Sequence, residues 1–366
     1  MPLRARLSLV TALALLPLAA CYVAPPGLSD EELRQLTHVE QDGVRVYWRQ
    51  DELQKEQVTR VLPRLASVAR TVSERIGCAP PPAAVVLWVP GGVRGSGRDP
   101  IHTTHGIFSG GRVTFRYPWE PDDPEALAPL LGTAAHELAE AAVLRQVTAI
   151  DPYLRWFHDG LAELVEHQVL VLTDPEAARS ALERGLELLA EQRARGVVRI
   201  DLERWRQLAP WIIRSQRFLD SGGNLSLEDL PGSRERVRKA MAAATADVRR
   251  RGLEELLQVI ERAEAAAARP WSADEARPDD PQLRDFLFYL CSFAVWLDLE
   301  RRSPGAARRA TAELIRRRAE DDHVLQASEG RELFLSAAKG VTPLPLGGLP
   351  LISVETVLRQ ALGEPE

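Results

Sequence analysis

Leu131-Gly132-Thr133-Ala134-Ala135-His136-Glu137-Leu138-Ala139-Glu140-Ala141-Ala142 is the stretch on which the architecture turns. Leu131, Ala135, Leu138 and Ala142 recur at spacings of four, three and four, the period of a helix with one buried stripe. At about 100° per residue, His136 and Glu140 fall about 40° apart, and Glu137 lies within the same arc. One helix thus presents an imidazole and two carboxylates together, residue types that hold a cation and move a proton.

A second helix follows Asp151-Pro152 and carries Trp156-Phe157-His158-Asp159-Gly160-Leu161-Ala162-Glu163. Asp159 stands nineteen residues beyond Glu140. His158 adjoins it but points about 100° away on a regular helix, so it reaches a shared ion only by swinging round. Glu163, one turn on, is expected to support structure or ligands rather than to bind, and His167 is expected on the surface.

Upstream, Gly43 to Trp48 alternates as a strand, and Glu52 to Ile76 repeats apolar residues as an amphipathic helix. Gly77 to Pro82 ends that helix, and Ala84 to Val89 reads as a buried strand. After a glycine-rich loop from Gly91 to Gly97, Ile107 and Val113 to Tyr117 flank Gly110-Gly111 as a hairpin. His102 and His105 fall in the loop before it. From Pro124 onward the pattern is helical, with helices expected near 124–146, 153–171, 174–194, 201–218, 233–266, 281–301, 305–319 and 329–338. Gly222-Gly223, Pro231-Gly232 and Pro343 to Pro350 read as breaks.

The two helical motifs resemble the gluzincin metallopeptidases, in particular their peptidase MA-like branch, whose pattern is HExxH, eighteen residues, then glutamate within W-x-x-E-G-x-A-E. Eighteen residues also separate Glu140 from Asp159 here. The resemblance extends over roughly residues 44 to 340 and includes Tyr289-Leu290-Cys291-Ser292, similar to a downstream Tyr-x-x-Ser segment. It implies an α+β, zincin-like metallopeptidase fold: a small N-terminal sheet, an active-site helix pair within residues 44–172, and a mostly helical half over 173–366. Carried across by position, His136, Glu140 and Asp159 are metal ligands and Glu137 is the general base. Tyr289 is a candidate oxyanion donor.

Two positions depart from the pattern: Glu140 stands where the family has histidine, and Asp159 where it has glutamate. One neutral imidazole with two carboxylates holds a charge of about −2, against about −1 for the two-histidine set, and makes Zn²⁺ a poorer Lewis acid. An oxygen-rich set also suits Mn²⁺ or Mg²⁺. Two readings follow: a metallohydrolase with unusual ligands, or a pseudopeptidase without metal that keeps the cleft for binding.

The N-terminus addresses location. Arg4 and Arg6 precede a mostly apolar run from Leu7 to Ala20, the layout of a signal peptide over residues 1–20. At fourteen residues, broken by Pro17, the run is shorter than the roughly 20 residues a spanning helix needs. Leu18-Ala19-Ala20-Cys21 resembles the lipobox of bacterial lipoproteins, which implies cleavage before Cys21, lipid on its thiol, and residues 21–43 as anchor and tether. Tyr22 rather than aspartate after the cysteine implies the outer membrane of a Gram-negative host.

Losing Arg4 and Arg6 takes the formal charge from −6 to −8, so nucleic acid is not an expected partner. A peptide or protein substrate or partner is. Cys78 and Cys291 remain, either as a disulfide, which an exported compartment permits, or as two small buried hydrophobes.

Overall fold

Val44, Val46 and Trp48 are all buried with Ala83, Val85 and Leu87 and with Val113, Phe115 and Tyr117 in one continuous core. Tyr47, Ala84 and Val86, the alternate residues, join Leu33 in a separate cluster. This two-residue alternation defines a sheet covered on both faces. The computed structural model describes residues 30–89, 106–109, 112–123, 126–147, 149–205, 229–276, 284–318 and 324–364. Its first strands are β1 (Thr37–Gln41), β2 (Val44–Trp48), β3 (Ala83–Trp88), β4 (Gly106–Ser109) and β5 (Arg112–Pro118). They form one sheet in the order β1-β2-β3-β5-β4. The centre, β2-β3-β5, is parallel, and each edge strand is antiparallel to its neighbour.

Two helices enclose this sheet. The short α1 (Asp30–Arg34) brings Leu33 to one face, and α2 (Lys55–Ile76) brings Val58, Val61, Leu65, Val68 and Val72 to the other. Residues 30–41, expected in the tether, therefore belong to the folded body, because β1 pairs along its full length with β2. Gly77 ends α2 at φ 79°, a left-handed conformation that favours glycine, and donates its N–H to Ser73 O.

The helical part runs through α3 (Leu127–Leu144), α4 (Arg155–Thr173), α5 (Pro175–Ala194), α6 (Leu230–Ala243), α7 (Asp247–Ala268), α8 (Arg284–Arg302), α9 (Ala306–Arg318), α10 (Ala327–Ala337) and α11 (Leu351–Ala361). The helix expected over 233–266 is two: it breaks at Ala244, whose backbone turns extended, so that Val237 packs on Leu253, Leu256 and Ile260. α11 was not expected, although Leu351, Val354, Val357 and Leu358 bury one helical face. Of the helix expected over 201–218, Leu202–Arg204 forms a 3-10 turn, and 206–218 lie outside the described residues.

The main core runs from Val44 to Leu358 without division, so the sheet half and the helical half are not separate folding bodies. The molecule is α+β and mostly helical. Cys78 and Cys291 are free thiols, and Cys291 is fully buried in α8; no disulfide joins them. Among the described residues, no helix is long and apolar enough to cross a membrane. Residues 1–20, Cys21, the loop at 91–97, His102, His105, Gly110-Gly111, Gly222-Gly223 and His323 lie outside the described residues.

Candidate metal centre

α4 lies between α3 and α8, and its position is fixed by packing. Trp156 and Phe157 meet edge to face at 5.7 Å, and both extend the contact, Trp156 to Phe334 of α10 and Phe157 to Trp296 of α8. Gly160 permits the close approach of α8: a Cβ there would stand 2.8 Å from Trp296 Cδ1 and 3.0 Å from the Ser292 carbonyl oxygen. A side chain at 160 would push apart the helices that carry the polar cluster.

On that frame, His136 and Glu140 of α3 face Asp159 of α4. One donor atom from each lies within 4.8 Å of the other two. His136 Nε2 stands 4.0 Å from Asp159 Oδ1. Ligands held at about 2.1 Å from one tetrahedral cation stand about 3.4 Å from each other, so a small inward movement brings these three to bonding distance.

The outward atoms of the same side chains are held by other residues. His136 Nδ1 faces Glu163 Oε1 at 3.3 Å and Glu166 Oε2 at 3.5 Å. Asp159 Oδ2 accepts from Arg155 Nε at 2.7 Å. Ligand geometry needs this arrangement: the far nitrogen of a histidine and the far oxygen of a carboxylate are oriented by neighbours, and the near atoms face the ion. The residues present therefore fit a divalent cation, and Arg155 offsets one of the two carboxylate charges.

Arg155 is itself buried and clasped. Its guanidinium carbon lies 4.7 Å from the Trp205 ring centroid and 4.9 Å from that of Tyr289, and one of its amino groups donates to the Tyr289 hydroxyl. Tyr289 is thus at the margin of the cluster, its ring centroid 6.1 Å from that of His136. Glu137 is 9% exposed on α3, next to His136.

Two expectations about histidines are corrected. His158 does not turn away: its Nδ1 is 3.1 Å from Glu140 Oε1 and 3.5 Å from Asp159 Oδ1. The wheel angle from Asp159 describes α4 alone, whereas α3 crosses so that Glu140 meets His158 from the other side of the helix pair. His167 is not simply on the surface; its ring packs against Phe293 at 5.3 Å and is half-buried, which pushes its pKa down.

The cluster polarises its own members. Burial disfavours an imidazolium at His136, but Glu163 and Glu166 outweigh it and hold His136 protonated well above the ordinary range. Burial likewise favours neutral Glu140, yet the His158 imidazole outweighs it and holds the carboxyl down at about 2. His158 is raised in turn: burial opposes its charge, and Asp159 and Glu140 overcome that. Any cation entering must displace protons from imidazole nitrogens, so these groups couple uptake to proton release.

Arg155 and Glu166 were missed in the sequence. The signal was available: Arg155, Asp159, Glu163 and Glu166 are spaced four, four and three, one continuous stripe along α4. Compared with known proteins, the chain matches no family model and no curated protein. The case for the centre therefore rests on side-chain geometry.

Proposed function

We propose that the chain is an envelope-anchored metallohydrolase of gluzincin type, with a zincin-like fold, that cleaves peptide bonds. The observation that carries the reading is the convergence of His136, Glu140 and Asp159 to within 4.8 Å, with the outward nitrogen of His136 held by Glu163 and Glu166 and the outward oxygen of Asp159 by Arg155. A divalent cation bound there polarises a carbonyl and acidifies water. In this reading the Glu137 carboxylate takes a proton from the attacking water as its oxygen bonds to the scissile carbon. It then hands that proton to the departing amine as the C–N bond breaks. The Tyr289 hydroxyl, oriented by Arg155, donates to the developing oxyanion.

The expected result is about one equivalent of Zn²⁺ or Mn²⁺ per chain in full-length protein purified in mild detergent from cells supplied with both metals. Elemental analysis measures it directly. A chain that retains neither ion after purification, and takes up none on titration, excludes the hydrolase.

A second reading is favoured by Arg155, whose guanidinium already places a cation on Asp159. There the cluster is a metal-free remnant and the protein is a surface-anchored binding or scaffolding module. The same metal analysis separates the two, because only the remnant stays empty.

The anchor is the lipobox cysteine. Cys21→Ser is expected to abolish labelling by radioactive palmitate and to move the protein from the membrane pellet to the soluble fraction, since the buried methylenes of the thiol-linked lipid are lost, at about 0.8 kcal/mol each. Retention of label in the variant would place the lipid, if any, elsewhere.

A further inference from the structure

We propose that Nδ1 of His158 is a further ligand of the cation held by His136, Glu140 and Asp159, supplying from α4 the second imidazole that position 140 on α3 lacks. The inference rests on the metal reading above and names a residue that reading does not require.

His158 has 4% of its side chain exposed. Its Nδ1 is buried and makes no hydrogen bond, although Glu140 Oε1 is 3.1 Å away and Asp159 Oδ1 3.5 Å away. The distances are short enough; the alignment a hydrogen bond needs is missing for both. A buried ring nitrogen that has charged neighbours but no aligned hydrogen bond still lacks part of its satisfaction, and an ion or water between it and the carboxylates would supply it. Its place decides between them. The nitrogen borders the two carboxylates that, with His136, already approach one point. His158 is not itself among the three residues whose donor atoms lie within 4.8 Å of one another, so a cation reaches all four side chains only if the His158 ring shifts toward it.

The consequence for the metal is specific. Three ligands with two carboxylates make an oxygen-rich set that suits Mn²⁺ or Mg²⁺ as well as Zn²⁺. Adding His158 gives two nitrogens and two oxygens in four-fold coordination, the ligand type and number that favour Zn²⁺ and Co²⁺ over Mg²⁺. α3 and α4 each contribute one imidazole and one carboxylate, so neither helix alone holds the ion, and with four protein ligands a water or substrate oxygen would have to enter as a fifth for the proposed hydrolysis.

X-ray absorption on the zinc-loaded full-length protein counts imidazole ligands, and chelator competition measures affinity for wild type, His158→Phe and His136→Phe. Phenylalanine keeps a ring in the buried space and removes the nitrogen. Two imidazoles in wild type, one in His158→Phe, and zinc affinity weakened by ~100-fold or more with much less change for Mn²⁺, support the assignment. One imidazole in wild type overturns it whether or not the variant folds. So does unchanged zinc affinity in a folded His158→Phe protein, and in both of those results the three-ligand centre stands. If wild type takes up no cation and neither does any variant, the metal reading itself fails and takes this inference with it.

Discussion

Glu137→Gln is expected to keep its cation at one per chain and to lose turnover by ~10²- to 10⁴-fold, the usual contribution of a positioned general base. The amide matches the carboxylate in shape but accepts no proton at neutral pH, so the change removes chemistry with little change in packing. Glu137 follows His136 directly and is nearly buried, on the helix that also carries Glu140. A mixture of unstructured peptides, with mass spectrometry of newly formed termini, detects cleavage without a known substrate, and elemental analysis of the same sample records the metal. Loss of cleavage with the metal retained is the signature of a base. Equal cleavage by both proteins would mean that Glu137 moves no proton, and loss of both together would mean that it holds the site rather than working in it.

How much of this was legible in the residues follows from how far each signal reaches. The stripe Leu131, Ala135, Leu138 and Ala142 is local, and α3 forms where it predicts. Val44 to Trp48, Glu52 to Ile76 and Ala84 to Val89 are local in the same sense, and each becomes the expected element to within three residues. β1 was missed because Thr37–Gln41 has a single apolar residue, Val39; its strand conformation comes from pairing with β2, which no short window contains. The break near Ala244 was hidden for a related reason. Ala242, Ala243 and Ala244 favour helix individually, and only the return of α7 onto α6 makes a turn there favourable. At the site, the residues on α3 and α4 could be paired by spacing, but the crossing of the two helices could not. That packing is what brings His158 to Glu140, whereas Arg155 and Asp159 pair within α4 at a spacing of four.

Arg155→Met is expected to cost about 3–5 kcal/mol of stability in the cation-free protein, the effect of stranding one member of a buried ion pair. Methionine fills much of the space between Trp205 and Tyr289, so the loss reports the Asp159 carboxylate left without a counter-charge more than a cavity. Urea unfolding monitored by tryptophan emission measures it, with four of the chain's indoles (Trp48, Trp156, Trp205 and Trp296) fully buried. The informative comparison adds Zn²⁺. If Asp159 Oδ1 binds the cation, the ion supplies the missing positive charge, and stability returns with the logarithm of free Zn²⁺ above Kd, by about 2.7 kcal/mol at a free concentration one hundred times Kd. The substitution then weakens the apoprotein far more than the loaded form. If instead Arg155 is the permanent cation of a metal-free cluster, zinc does nothing and the full loss persists at every concentration. One side chain thus separates the two readings on stability alone, without a substrate, because only in the metal reading does a second positive charge, on Asp159 Oδ1, offset the loss of the guanidinium on Oδ2.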